Sequence, residues 1–432
     1  MGNPNLEDDK VIHQIQITNS KVVVVAKEYL EKYIALRANI RNLFVLDANS
    51  TDTLPEGVQS IQEILEYNHS YQATDEMLDI NIEDPAVIIW TSGSTGTPKG
   101  ILHKQKTLLD MDLVDCCEAS KALLSTTMYH IAGFSFPLYL GLMSGFTVGF
   151  VRNFEAQDFL ESMVRFRPEF TVVSTYVYLS IGNANYAKNQ FLFLKKILPI
   201  GGTFTTETHT KALDILGHHV CVDHVYASSE TFIITVLPGD KEKKFGLCGA
   251  LKPGCQLYIA DIDSNEKLGP NKLGKIMVKA PTLLKSYLRN PEADQEFFNY
   301  DGFGHLGDIG YFTKEGNIFF SHRNKEILRV HSSWFGPADI ENLIESIDEV
   351  KEAVVWGEYD HLFGHDKINL AIVFKPDANR IWPKKDLVEF VENNLAKEKQ
   401  ITGDVYFVKE IPHGGPLMKK LRLKMRDYVK NL

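Results

Sequence analysis

Cysteine is scarce in this chain. Its five cysteines in 432 residues, two of them adjacent at Cys116 and Cys117, form no ligand-like spacing. That excludes a disulfide scaffold and a zinc module. A basic excess is missing as well. Lys and Arg number 46 against 56 Asp and Glu, a net charge of −10, so a dedicated nucleic-acid binder is excluded. No internal repeat or low-complexity tract is present. The apolar share of 44% and charged share of 24% are those of a globular protein, not of a disordered or fibrous one. An uninterrupted membrane-length apolar run is also absent. Ile131 to Val151 carry no charge, but Gly133, Pro137, Gly141, Gly145 and Gly149 break the run. It reads as a buried helix followed by a buried strand, with no integral membrane segment. Met1 to Lys10 hold Asn, Pro and charged residues where a secretory signal would be apolar. Leu6 breaks the myristoylation pattern, and the terminal Val429-Lys430-Asn431-Leu432 is neither a prenylation box nor S-K-L. A cytoplasmic location is expected, with the peroxisome left open.

What is present is an alternation of short apolar runs with helical patterns, which predicts an α/β architecture. Val22 to Val25, Leu43 to Leu46 and Val87 to Trp90 read as buried strands, with a helix over Glu28 to Arg41. Further strands are expected at Phe170 to Ser174, Lys196 to Ile200 and Asp223 to Tyr226. Residues 250–320 are rich in short strands and turns and predict a small β-rich lobe. Beyond Arg323 the pattern is α+β, with helices over Pro337 to Ile347 and Pro383 to Lys399. The expected organisation is thus a large N-terminal domain of layered sheets and helices over 1–323, and a small α+β domain over 324–432.

The strongest chemical signal follows the strand at Val87 to Trp90. It reads Thr91-Ser92-Gly93-Ser94-Thr95-Gly96-Thr97-Pro98-Lys99-Gly100. Its glycines let backbone N–H groups approach an anion, its hydroxyls add donors, and Lys99 adds a charge for a polyphosphate. The Walker spacing fails, because Lys99 is followed by Gly100. A helix is expected from His103 to Val114.

This string resembles the phosphate loop of the adenylate-forming superfamily, which includes acyl-CoA synthetases, 4-coumarate-CoA ligases and beetle luciferases. Other motifs follow in that family's order. Tyr226-Ala227-Ser228-Ser229-Glu230-Thr231 resembles Y-G-x-T-E-T, and Gly201-Gly202 resembles the pair before the adenine pocket. Phe303 to Gly310 resembles the family's G-D motif, Ser321 to Lys325 its hinge, and Asn290-Pro291-Glu292-Ala293 is also family-like.

The resemblance implies a fold, an activity and a set of roles. The small C-terminal domain would be mobile. Thr91, Ser92, Gly93, Ser94, Thr95, Gly96 and Lys99 would hold phosphates. Gly201, Gly202, Tyr226 and Ser229 would line the nucleotide site, with Tyr226 offering a flat face to adenine. Glu230 would bind Mg²⁺, a cation that takes hard oxygen ligands. Asp308 would accept hydrogen bonds from both ribose hydroxyls, and Arg323 would donate to ribose or phosphate. His130, in Met128 to Gly133, would line the acyl pocket, with Phe134, Phe136 and Tyr176 suggesting an apolar one. Lys325 would be the hinge. Lys419 would align the carboxylate with the α-phosphate, Lys420 being second choice, and the His331 loop would replace it in a second stage. The implied activity is ATP-dependent activation of a fatty or aromatic carboxylic acid, then transfer to coenzyme A. A luciferase-like oxygenase and a catalytically impaired nucleotide or acyl binder are the alternatives. The implied partners are ATP, Mg²⁺, coenzyme A and a small acid, with no nucleic acid.

The sequence departs from the family pattern at four places. Ala227 replaces the family Gly. Val330-His331-Ser332-Ser333 stands where a Gly-containing loop is usual. Met418 precedes the lysine in place of Gly. Fewer residues precede Thr91 than the family carries, so apolar faces around Val22 to Val25 are expected to be uncovered. Association into a homo-oligomer, or lower stability, would follow from such a patch.

Overall fold

The computed structural model describes the chain except residues 1, 5, 37–39, 49–51, 68–78, 92–97, 112–118, 152–155, 183, 185, 187–189, 205, 324–325, 327, 331–332, 361–364, 415–418 and 431–432. Three sheets carry most of the architecture. A five-stranded sheet runs in the order Cys221–Val222, Lys196–Ile200, Phe170–Ser174, Lys121–Ser125, Thr147–Phe150, and every pairing is parallel. Alternate residues leave its two faces. Leu124, Val172 and Leu198 enter one apolar cluster, while Leu123, Val173 and Ile197 enter another. Both faces are therefore covered, as parallel sheets require. The helix Ala156–Phe166 packs on one of them through Phe159, Leu160 and Met163.

The second sheet is antiparallel and has eight strands, from His224–Ser228 at one edge to Lys267–Leu268 at the other. It is larger than the lobe expected over 250–320, because strands His224–Ser228 and Phe232–Leu237 belong to it. The third sheet joins Val350–Asp360, His365–Phe374 and Val405–Phe407. Helices Ala338–Glu345 and Lys384–Asn394 cover one of its faces, and Arg422–Val429 covers the other. The two clusters of this sheet take their buried residues from Leu328 onward.

Several local expectations change in three dimensions. Val22–Val25 does pair in parallel with Asn42–Val45, but it is not buried throughout. Val22 and Val24 are 52% and 48% exposed, and Val25 faces the core. A small sheet covered on one face alternates in this way. The helix expected over Glu28 to Arg41 is shorter: a 3₁₀ turn Lys27–Tyr29 and a helix Leu30–Ala35. A helix Asp8–Thr18 precedes them. The run from Ile131 forms a helix Ile131–Pro137 and a wider π turn Leu138–Met143. Its strand, Thr147–Phe150, lies at the sheet edge, so Phe150 is half exposed rather than buried. Among the described residues no helix is long and apolar enough to cross a membrane.

The largest change lies beside the Gly-rich loop. His103 does not begin a helix. Gly100–Lys104 is a strand that returns antiparallel to Pro85–Trp90, and among the described residues of the expected helix Gln105–Leu109 is helical. Ile101 and His103 alternate with half-buried Leu102 and are both almost fully enclosed. That is the periodicity of a strand. The loop therefore closes a hairpin instead of leading into a helix.

Candidate active site

The site gathers where the five-stranded and eight-stranded sheets meet the C-terminal domain. Parallel strands place their carboxyl ends along one edge, the usual location of a ligand crevice. The strand Lys121–Ser125 runs into the turn before His130, and Lys196–Ile200 runs into Gly201-Gly202. Gly201 has φ +87°, which favours glycine. A Cβ on Gly202 would stand 3.1 Å from the Cβ of Thr175. The Gly202 carbonyl faces His224 Nε2 at 3.1 Å.

Asp308 is the most enclosed acid of this region, at 1% exposure. The register of strands Gly304–Phe312 and Ile318–Arg323 sets it opposite Arg323. Arg323 Nε lies 2.9 Å from Asp308 Oδ1, and Arg323 also donates to the Leu306 carbonyl at 3.1 Å. The Tyr226 hydroxyl donates to Asp308 Oδ2 at 2.5 Å, a separation typical of a charged acceptor. Burial first, and then the Asp308 charge, holds the Tyr226 hydroxyl protonated far above its usual range. Asp308 in turn raises Arg323. One oxygen of the carboxylate expected to accept from the ribose hydroxyls thus already has a protein donor. Oδ2 is taken by Tyr226, and Oδ1 has a cation nearby but no aligned donor among the described residues. Tyr226 is itself 8% exposed and packs in the sheet core, so its hydroxyl is engaged and its ring offers little open face. Ala227, next to it, is exposed.

Ser229 and Glu230 occupy a tight turn between strands. Glu230 N donates to Ser228 Oγ at 3.2 Å, and Ser228 Oγ meets Thr231 Oγ1 at 2.9 Å. The Ser229 carbonyl accepts from His103 Nε2 at 3.1 Å. Burial holds His103 down at about 4, so it is neutral near pH 7. Because a carbonyl only accepts, the proton sits on Nε2. The Glu230 carboxylate is half-buried and accepts from the Tyr287 hydroxyl at 3.1 Å. Among the described residues no cluster of three His, Cys, Asp or Glu could hold a metal. A cation at Glu230 would complete its shell with phosphate and water oxygens, the way Mg²⁺ commonly binds.

At the Gly-rich string, the residues on either side of its undescribed part are pinned to each other. Thr91 N donates to the Lys99 carbonyl at 2.9 Å, and Lys99 N donates to Thr91 Oγ1 at 3.0 Å. Ser92, Gly93, Ser94, Thr95 and Gly96 lie outside the described residues, as do the expected hinge Lys325 and His331. Lys99 Nζ lies 5.2 Å from the Tyr287 ring centre and 3.6 Å from Glu296.

From the C-terminal side come two adjacent lysines on the short strand Lys419–Lys420, which pairs with His413–Gly414. Successive strand residues point to opposite faces. Lys420 therefore turns into its own domain, 2.6 Å from Glu345 and 2.7 Å from the Ala353 carbonyl. Lys419 turns toward the other domain. It is accessible to solvent, yet it sits among protein groups that lower its pKa to about 8. Partial desolvation is the first cause and Arg323 the second, with Asp308 and Glu326 opposing them. Lys419 also acts on His130, which burial foremost brings to about 3. His130 Nδ1 accepts from Ala132 N at 3.3 Å, so its proton is on Nε2. His413, beside this strand, meets Tyr176 of the large domain with ring centres 5.4 Å apart.

These positions match a known pattern. The profile described as AMP-binding enzyme matches residues 1–288, and that of the AMP-binding enzyme C-terminal domain matches residues 339–415. The chain belongs to the AMP-binding enzyme family. Membership makes it an enzyme of the adenylate-forming class. Luciferin 4-monooxygenase of Nipponoluciola cruciata is 24% identical, over 94% of this chain and 75% of its own length. 4-Coumarate-CoA ligase 2 of Narcissus pseudonarcissus is 24% identical, over 99% and 78%. ATP-bound MatB of Rhodopseudomonas palustris superposes with a TM-score of 0.85 at 21% identity, covering all of this chain and 83% of that one.

Tyr287 and His103 were not among the residues singled out from the sequence. Tyr287 stands three residues before Asn290-Pro291, which was the one available pointer. His103 was assigned to a helix and so had no visible link to Ser229.

Proposed function

We propose that this enzyme activates a carboxylic acid with ATP and passes the acyl group to coenzyme A. The supporting observation is the position of Lys419, which the C-terminal hairpin holds beside His130, Arg323 and Asp308. A carboxylate is a poor acyl donor because its leaving group would be oxide. Attack of its oxygen on the ATP α-phosphate forms a mixed anhydride and expels pyrophosphate. The protein's part is positioning and charge neutralisation, as in other phosphoryl chemistry.

On this reading Asp308 Oδ1 receives a ribose hydroxyl while Tyr226 fixes the carboxylate from behind. Arg323 donates to ribose or α-phosphate, and Gly201-Gly202 leave room beside the base. Thr91 and Lys99 hold the neck of the phosphate loop, with Lys99 toward the phosphates. Glu230 is the ligand for Mg²⁺, which when bound neutralises polyphosphate charge. Lys419 neutralises the charge that develops between carboxylate and α-phosphate, a role for a preorganised cation. His130 is neutral and presents Nε2–H at the edge of the acyl site. Phe134 lies one helical turn further on and is half-buried, as is Tyr176, which suits a fatty or aromatic acid. Phe136, at 3% exposure, belongs to the core instead. In the second stage the C-terminal domain rotates about Lys325 and the His331 loop replaces Lys419; the coenzyme A thiol loses its proton to water and attacks the acyl carbon, the C–S bond forms, the acyl C–O bond breaks and AMP leaves.

The test is ATP–pyrophosphate exchange over short, long and aromatic acids, followed by thiol consumption with coenzyme A. Exchange with at least one class is expected. ATP binding without exchange for any acid would leave a nucleotide-binding protein in place of a ligase.

A further inference from the structure

Tyr287 touches both groups assigned above to the charged end of ATP, and so far it has no role. Its surroundings hold it rigidly. It is 6% exposed, and its backbone forms an antiparallel bridge to Ile101. Its N–H donates to Asp294 Oδ1 at 2.6 Å. Its ring meets Phe297 edge-on, with centres 5.6 Å apart at 85°. From this fixed position it makes two polar contacts in different directions. The hydroxyl donates to Glu230 Oε1 at 3.1 Å, and the ring lies under Lys99 Nζ at 5.2 Å.

We propose that Tyr287 is a positioning residue for the metal–polyphosphate end of the nucleotide: its hydroxyl orients the Glu230 carboxylate and its ring face orients Lys99. This rests on Glu230 being the metal ligand of the proposed function. A phenol can donate once, so it engages one carboxylate oxygen and leaves the other for a hard cation. Because a carboxylate oxygen only accepts, the hydroxyl is the donor in this pair. The face of an aromatic ring attracts an ammonium without neutralising it, so this contact leaves the Lys99 ammonium able to meet a phosphate as well as Glu296, 3.6 Å away. One side chain thus sets two charges of opposite sign at the spacing that the bridge to Ile101 imposes.

The two contacts can be separated, because Tyr287→Phe removes the hydroxyl and keeps the ring. ATP binding to the full chain is measured by calorimetry without Mg²⁺ and across a Mg²⁺ titration, for wild type, Tyr287→Phe and Glu230→Gln. For Tyr287→Phe the Mg²⁺ concentration giving half of the affinity gain should rise roughly three- to tenfold, the factor carried by one hydrogen bond. Its Mg²⁺-free ATP affinity should stay within about twofold of wild type, since Lys99 keeps its platform. A residue that mattered only for packing would move both values together, and that result would overturn the proposal. An unchanged Mg²⁺ titration in Tyr287→Phe, with Glu230→Gln impaired, would also overturn it while leaving Glu230 as the ligand. If Glu230→Gln is unchanged as well, the metal assignment of the proposed function falls and takes this role with it. A melting curve within a few degrees of wild type accompanies the phenylalanine variant. Should that variant fail to fold, Tyr287→Trp, which keeps a ring and loses the phenol, is titrated in the same way with the same criteria.

Discussion

The two sides of the site are built by opposite means. On the eight-stranded sheet, Asp308 lies against Arg323 and accepts from Tyr226, and the register of two long strands sets the ion pair. On the C-terminal side, Lys419 stands on a strand of two residues, with no ion pair among the described residues. Its neighbour Lys420 supplies the anchor through Glu345 and Glu341. The first arrangement is preorganised by charge pairing. The second keeps an unneutralised cation in reach of the other domain by tying down the residue next to it. A fixed binding group can afford a partner, whereas a group that must meet developing charge is more effective without one.

Exchanging the roles of the two lysines gives the largest expected effect. Lys419→Ala should lower pyrophosphate exchange by about two to three orders of magnitude, the scale of losing one preorganised electrostatic group, with little change in melting temperature. Lys420→Met should do the reverse at first order. It leaves Glu345 without the ammonium 2.6 Å away, while Glu341 keeps Arg422 at 2.8 Å, for a cost of about 1–3 kcal/mol in stability. A collapse of exchange in Lys420→Met with Lys419→Ala still active would invert the register.

On the other side, Asp308→Asn should weaken ATP by roughly 1–3 kcal/mol, the value of hydrogen bonds to a charged group. Calorimetry would read this directly, and equal affinities would remove Asp308 from the nucleotide site.

A pH profile sharpens the contrast further. The pKa of Lys419 is lowered to about 8, so its cation is present below that pH and is lost as pH rises through it. The kcat/KM of exchange, which reports groups of the free enzyme, should therefore decline above about pH 8. Lys419→Arg, weaker overall, should lack this decline because a guanidinium stays charged. A decline at the same pH in the arginine variant would assign it to another group.

The smallest effect is expected far from both sides. Val24→Thr lies on the exposed face of the N-terminal sheet and should shift stability by no more than about 0.5 kcal/mol. A larger loss in a concentration-dependent melt would reveal that this face is covered by a second copy.

Much of this was legible from residue order. The buried parallel strands at Phe170–Ser174 and Lys196–Ile200 stand where their apolar runs predicted them. So do the C-terminal helices Ala338–Glu345 and Lys384–Asn394, the second ending short of the expected Lys399, because helical spacing is a local property. The family was legible too, since Thr91 to Gly100 is a contiguous string whose chemistry needs no distant partner. Other features were not. His103 was read as helical because a short run with polar neighbours fits either period, and its burial comes from pairing with Pro85–Trp90 and packing under Ser229. Val22 and Val24 were read as buried because four valines do not say which face is covered.

The sequence alone determined the α/β class, the buried strands at Phe170–Ser174 and Lys196–Ile200, the Gly-rich string Thr91 to Gly100 and the pair of candidate lysines at 419 and 420. Only the tertiary structure decided which lysine enters the cleft, because strand alternation acts relative to a neighbouring sheet. It also decided that one oxygen of Asp308 accepts from a protein hydroxyl, because Tyr226 lies 82 residues away in the chain. Tyr287 joins Lys99 and Glu230 for the same reason. Hydrogen bonds and ring contacts act over a few ångströms in space, and no local pattern in the chain records which distant residues the fold will bring within that distance.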